Sequence, residues 1–170
     1  DNVTSISSSA FAGCTKLSKV SIGKNVKTIG TSAFEGCKKL SSVILGAAVT
    51  TIGDKAFKNC TSLKSVTIPA KATKIGKQAF AGCTSLSAID IKGVAHIDEG
   101  AFTQCNMLKS VTIDSSNIGD GAFSDCQNLT TIDLGKNITN IGNGAFENCE
   151  KLASVNIPEG VINIGDRAFY

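Results

Sequence analysis

The side chains able to do chemistry in this 170-residue chain are seven cysteines, one histidine and 14 carboxylates. Cys14, Cys37, Cys60, Cys83, Cys105, Cys126 and Cys149 are spaced by 23, 23, 23, 22, 21 and 23 residues. The count is odd, no C-x-x-C pair occurs, and His96 is the only imidazole, so the usual zinc spacings are missing. Side chains at equivalent places in stacked turns run parallel, with Cβ atoms ~5 Å apart, beyond the ~3.5–4.5 Å that a disulfide prefers. The expected state is a buried ladder of free thiols acting as small hydrophobes. With one His and one Tyr, no Ser/His/Asp or Cys/His arrangement has support. The chain is therefore expected to be no enzyme and to hold no metal or cofactor. No phosphate loop occurs, and Gly119-Asp120-Gly121 and Gly142-Asn143-Gly144 are repeat glycines beside a capping residue.

The element that positions the cysteines is a repeat. An Ala-Phe pair precedes each cysteine by a fixed interval: Phe11, Phe34, Phe57, Phe80, Phe102, Phe123 and Phe146, with Phe169 closing the chain. A period of 20–50 residues marks a solenoid, whose units bury their apolar faces only against each other. The pattern is C-x-x-L-x-x-V-x-I-x-x-x-V-x-x-I-G-x-x-A-F-x-x, and it predicts one domain over 1–170 with about seven and a half repeats. The V-x-I piece alternates as a short strand does, and strands in one direction stack as a parallel sheet. Its inward pairs run from Val20/Ile22 and Val43/Leu45 through to Val155/Ile157. The Ala-Phe piece reads as a short helical or 3-10 turn, N-capped two residues earlier by Ser8, Thr31, Asp54, Asp120, Asn143 or Asp166. Gly or Asn before five of the seven cysteines would close it. V-x-x-I-G is either a second strand or an extended crossing. Because the chain begins and ends inside a repeat, it reads as a segment of a longer array.

Residues that repeat in every turn are structural, so recognition must lie in what varies. The outward file between the paired strand positions is Ser21, Ile44, Thr67, Asp90, Thr112, Asp133 and Asn156. It is the candidate contact face, small and polar, without the Tyr, Trp or Arg that dominate protein hot spots. A calcium site there is disfavoured, because Asp90 and Asp133 lie two turns, ~10 Å, apart. Charge is uneven: 12 Lys against three acids in residues 1–85, four Lys and one Arg against 11 acids in 86–170. The candidate basic end comprises Lys16, Lys24, Lys27, Lys38 and Lys39. It suits an acidic glycan, an acidic protein, or weak head-to-tail contact with a second copy. Two turns are short, by one residue before Ile97 and two before Ile118, with His96 beside them, expected to point outward. No apolar run approaches the ~20 residues of a membrane span, and no nucleic acid partner is expected.

The run Leu63–Cys83, with Pro69, Ala72, Ile75, Gly76, Ala79 and Phe80, resembles the BspA-like, or treponemal-type, leucine-rich repeats. The likeness extends over essentially the whole chain. It implies a right-handed leucine-rich-repeat solenoid of the α/β type, with strands lining a concave face and no shared catalytic residues. It also implies an extracellular or cell-surface location and adhesion to a host matrix or surface protein. Gly23, Gly46, Lys92, Asp114 and Gly135 depart from the pattern where Pro69 and Pro158 keep it. Two functions follow: a non-catalytic binding module of an adhesin, or a passive stalk that displays another domain.

Overall fold

In a computed structural model that describes residues 2–170, the chain winds into a parallel-strand solenoid of about seven turns. Asp1, counted in the basic half, lies outside the described residues. Each complete turn has up to two short strands and one wall of linked β-turns. The V-x-x-I-G piece is a true strand, and it builds the longer sheet. Its eight members are β1 (Ser5–Ile6), β3 (Thr28–Ile29), β5 (Thr51–Ile52), β6 (Lys74–Ile75), β8 (His96–Ile97), β10 (Asn117–Ile118), β12 (Asn140–Ile141) and β13 (Asn163–Ile164). The V-x-I strands are β2 (Lys19–Ser21), β4 (Ser42–Ile44), β7 (Ala88–Lys92), β9 (Ser110–Asp114) and β11 (Thr131–Leu134). They form a two-stranded sheet, β2-β4, and a three-stranded one, β7-β9-β11. The expected single V-x-I strand per turn in one continuous sheet is corrected to two separate V-x-I sheets, and of the two readings open for V-x-x-I-G the second strand is the one present.

The Ala-Phe segments are not helical, contrary to expectation; among the described residues there is no helix. The reason is visible in one turn. Lys55 and Asn59 both take left-handed conformations, φ 56° and 58°, leaving only Ala56, Phe57 and Lys58 between them. Three residues cannot close an i→i−4 bond. The amides of Ala56, Lys58 and Cys60 instead donate three residues back within the turn, to Gly53, Lys55 and Phe57. The alternating amides of Lys55, Phe57 and Asn59 donate to Lys77, Ala79 and Ala81 of the next turn, at 2.7–2.8 Å. Half of the donors that a helix would use are therefore spent on the stack. The residues read as N-caps are spent likewise. The Asp54 carboxylate accepts the amide of Lys77 at 3.0 Å, Asp120 that of Asn143 at 2.9 Å, and Asn143 that of Asp166 at 2.8 Å.

Inside the coil every repeated residue rests on its own copy. The eight Phe rings stand in one file, with successive centroids 5.1–5.3 Å apart and planes within 8° of parallel. That is an offset stack, which the ring quadrupole favours over face-to-face overlap. Phe34, Phe57, Phe80, Phe102 and Phe123 are wholly buried, as are Leu40, Leu63, Leu86, Leu108 and Leu129. The repeated glycine is dictated by turn spacing. A Cβ on Gly53 would lie 2.8 Å from the Ile29 carbonyl oxygen, with backbone on every side.

Replacing Phe80 by alanine should destabilise the coil by about 3–5 kcal/mol, since the ring is fully enclosed between two others. Urea unfolding should show that loss, whereas Phe11→Ala, at the half-exposed end of the file, should lose markedly less.

Candidate contact face

The predicted contact file is brought together in pieces. Ser21 pairs in register with Ile44 across β2-β4. Asp90 pairs with Thr112 across β7-β9, and Thr112 with Asp133 across β9-β11. Thr67 and Asn156 sit on segments that belong to neither sheet. All seven side chains are at least partly exposed, and Ile44 is the apolar exception at 63% exposure. Asp90 is held by the Lys92 ammonium at 2.8 Å. Among the described residues no three His, Cys, Asp or Glu side chains gather as a metal site would need.

The five lysines of the candidate basic end are all exposed, yet they occupy two places on the coil. Lys16, Lys38 and Lys39 follow the cysteine, ahead of the V-x-I strand; Lys24 and Lys27 lie in the corner after it, before β3. They therefore flank the contact face from both edges. Exposed pairs such as Lys77–Glu99 at 2.9 Å and Lys74–Asp98 at 3.0 Å tie adjacent turns, each worth little in water.

The eight-stranded sheet presents an outward file that the sequence reading did not single out. Thr28, Thr51, Lys74, His96, Asn117, Asn140 and Asn163 stand in register. Asn140 Nδ2 donates to Asn117 Oδ1 at 2.8 Å, and Asn163 Nδ2 to Asn140 Oδ1 at 2.9 Å. His96 is exposed in this file. The available signal was Asn at one phase in three consecutive turns. Beside it, the short turn before Ile118 closes through Ser115, buried, whose hydroxyl donates to the Ala95 carbonyl at 3.0 Å. The strands leading into the two short corners, β7 and β9, are the longest of the coil at five residues each.

The cysteines form the expected free ladder, with a hydrogen-bonding role that spacing did not reveal. Cys60 Sγ donates to the Phe34 carbonyl of the preceding turn at 3.2 Å, and the same carbonyl accepts the Cys37 amide at 3.2 Å. Five further thiols repeat this contact at 3.1–3.4 Å. Cys14 is exposed and the other six are buried. Burial holds the thiols neutral: desolvation, then the neighbouring sulfur, pushes Cys60 up to about 12, and desolvation raises Cys149 to about 11. Cys83 and Cys105 are raised well above the ordinary value for the same reasons. A neutral thiol is a poor nucleophile and a poor metal ligand.

This combination defines a leucine-rich-repeat solenoid: parallel strands, one buried ladder per repeated residue, and variation confined to the outer surface. The profile of the BspA-type leucine-rich repeat region matches residues 1–109 and 85–170, in six copies. The chain belongs to that family. Solved structures agree. A leucine-rich repeat protein of T. pallidum is 34% identical with a TM-score of 0.84, over 89% of this chain and 72% of that one. One from Eubacterium ventriosum is 29% identical with a TM-score of 0.83, over 90% of this chain and 42% of that one. A leucine-rich cell surface protein of Faecalibacterium prausnitzii is 34% identical with a TM-score of 0.57, over 99% of this chain and 55% of that one. No curated protein matches the sequence.

Thiol chemistry gives two checks. Titration with an aromatic disulfide should find one fast group, Cys14, in the native protein and seven after denaturation; several missing without a reductant would mean bridges. Because the folded thiols titrate above the unfolded value of 9.0, their stabilisation is complete below pH ~9 and is lost as pH rises through the folded values. The urea midpoint should therefore be insensitive to thiol ionisation up to pH ~8 and fall between pH 9 and 11, faster than in a Cys60→Ala, Cys83→Ala variant.

Proposed function

We propose that this chain is a non-catalytic binding module of a cell-surface or secreted, adhesin-like protein, taking a host matrix or surface protein, or an acidic glycan. The observation that carries the reading is where variation is allowed. Every repeated residue is spent on the interior or on the stack, while the outward files differ from turn to turn on a backbone grid. A surface of that kind can be edited without cost to the fold. The surface location is supported by the F. prausnitzii relative, a leucine-rich cell surface protein. Absence of a nucleophile–base pair in the chain's inventory favours binding over catalysis.

A second reading rests on the blandness of the same face. Apart from Ile44 it offers no large apolar anchor, which suits a stalk that displays another domain. The uneven charge, +9 over residues 1–85 and −6 over 86–170, also favours weak head-to-tail contact between copies, screened within ~8 Å at physiological salt.

Binding to immobilised fibronectin, fibrinogen and a sulfated glycan at physiological salt separates the readings. The module predicts saturable binding to at least one; no saturable signal on any of them would leave the stalk. Reversing Lys16, Lys24, Lys27, Lys38 and Lys39 to glutamate should weaken that binding at least tenfold, and unchanged affinity would remove the basic end from the contact.

A further inference from the structure

In a coil that sets opposite charges side by side between turns, one region stacks like on like. Lys77 meets Glu99, at the same phase of the next turn, at 2.9 Å, and Lys74 reaches Asp98 at 3.0 Å. At the basic end the same geometry does the reverse. Lys16 and Lys39 share one phase in adjacent turns, three residues before the register pair Lys19 and Ser42. Like charges so placed repel. Lys38 stands beside Lys39, Lys19 lies on β2 itself, and Lys24 and Lys27 follow in the next corner. All six are exposed, and among the described residues none of them enters an ion pair. From residue 2 to residue 53 the single acid is Glu35, on the Phe wall. On the strand face the nearest is Asp90, two turns beyond Ile44.

These lysines mark out a strip rather than a point. Lys16 and Lys24 are eight residues apart, at most about 28 Å of extended chain, with Lys19 between them. The strip is two turns wide, with strands about 5 Å apart. On its surface Ser21 and Ser42 present exposed hydroxyls, which both donate and accept. β2 and β4 carry no aromatic side chain, and Ile44 is their one large exposed apolar group. A folded acidic protein needs such anchors to bind tightly. A linear polyanion needs only charges at a matching interval and hydroxyls to meet. Six ammonium groups in so small an area suit a polymer of high charge density, which sulfation supplies and carboxylates alone do not.

We propose that the turns of β2 and β4 bind a linear sulfated glycan laid across the coil axis, along the strands; the inference rests on the binding reading above. Sulfates meet Lys16, Lys38 and Lys39 at one edge of the face, and Lys24 and Lys27 at the other. Lys19 holds the chain midway, at a phase where the other six turns carry only Ser, Ala or Thr. The hydroxyls of Ser21 and Ser42 bond the sugar oxygens between sulfates. Binding neutralises the stacked Lys16 and Lys39, so the ligand relieves a repulsion that the coil alone carries.

The test uses a fluorescent heparin-derived octasaccharide, the matching disaccharide, a hyaluronan octasaccharide, which carries carboxylates only, and poly-glutamate. Fluorescence anisotropy at physiological salt should show saturable binding of the sulfated octasaccharide and at least tenfold weaker binding of the other three. Neutralising one edge, by Lys16→Gln, Lys38→Gln and Lys39→Gln together, should weaken the octasaccharide at least tenfold. Neutralising the other, by Lys24→Gln and Lys27→Gln, should do the same. Lys19→Gln alone should weaken it at least threefold and make the affinity less dependent on salt. Lys55→Gln with Lys58→Gln, on the Phe wall, should change it less than twofold, and the urea midpoint should be retained throughout. Unchanged binding in either edge variant, or an equal loss in the Phe-wall variant, would overturn the proposal. So would equal affinity for the disaccharide, the hyaluronan chain or poly-glutamate. Binding of matrix proteins or of full-length heparin without binding of the octasaccharide sinks the strip alone; no saturable binding of any of them sinks the binding reading itself.

Discussion

Hydrogen bonding between equivalent backbone positions of successive turns is the constraint from which the rest of this molecule follows. On the Phe wall the donors of each turn reach forward, as Phe57 does to Ala79. On the eight-stranded wall they also reach backward, as Gly53 does to Ile29. Two walls so bonded fix both the separation and the rotational phase of neighbouring turns. Once that spacing is near 5 Å, a side chain has its own copy as its nearest neighbour. Only residues that pack well on themselves then serve: a flat ring on a ring, a thiol under a carbonyl, an amide on an amide. The sequence repeats because the contact repeats.

The same constraint explains what was legible in the amino-acid sequence. Phe and Cys mark the interior because a change at either phase is felt by both neighbouring turns, so both were readable from spacing alone. The helical turn was misread for a physical reason. Ser, Thr, Asp and Asn two residues before Ala-Phe are good N-caps in an isolated segment, and Gly or Asn before Cys is a good stop. In the stack the Asp54 and Asp120 carboxylates have a nearer client, the amide of the next turn. Left-handed Lys55 and Gln78 break the segment at a phase where three other turns carry a left-handed glycine, Gly100, Gly121 and Gly144, a signal that the capping pattern masks. Cap propensity is legible from the local sequence; the competing partner lies in another turn.

The contact face was harder to read, because its information lies in exceptions. Placing Ser21 beside Ile44, or Asp90 beside Thr112 and Asp133, needs only the period, and register bore that out. That Thr67 and Asn156 would fall outside the sheets needed a different inference, from proline at the following residue to loss of a ladder bond. Pro69 and Pro158 keep the family's proline, and the glycines and charged residues elsewhere depart from it. In the coil their roles reverse. The departures are what allow the strands to pair.

Since each turn touches only the turns beside it, a local change of backbone stays local. Loss of pairing at residues 65–68 leaves Val66 and Ile68 buried, and the Phe file and eight-stranded sheet pass the same point uninterrupted. A compact globular domain rarely tolerates an unpaired strand at its centre, because the same hydrogen bonds hold the whole core together. Here two other walls carry the register, so the third can lose ladder bonds while the core stays closed. That independence is what a repeat fold can offer a ligand: outward side chains that change at one turn, on a lattice that does not shift beneath them.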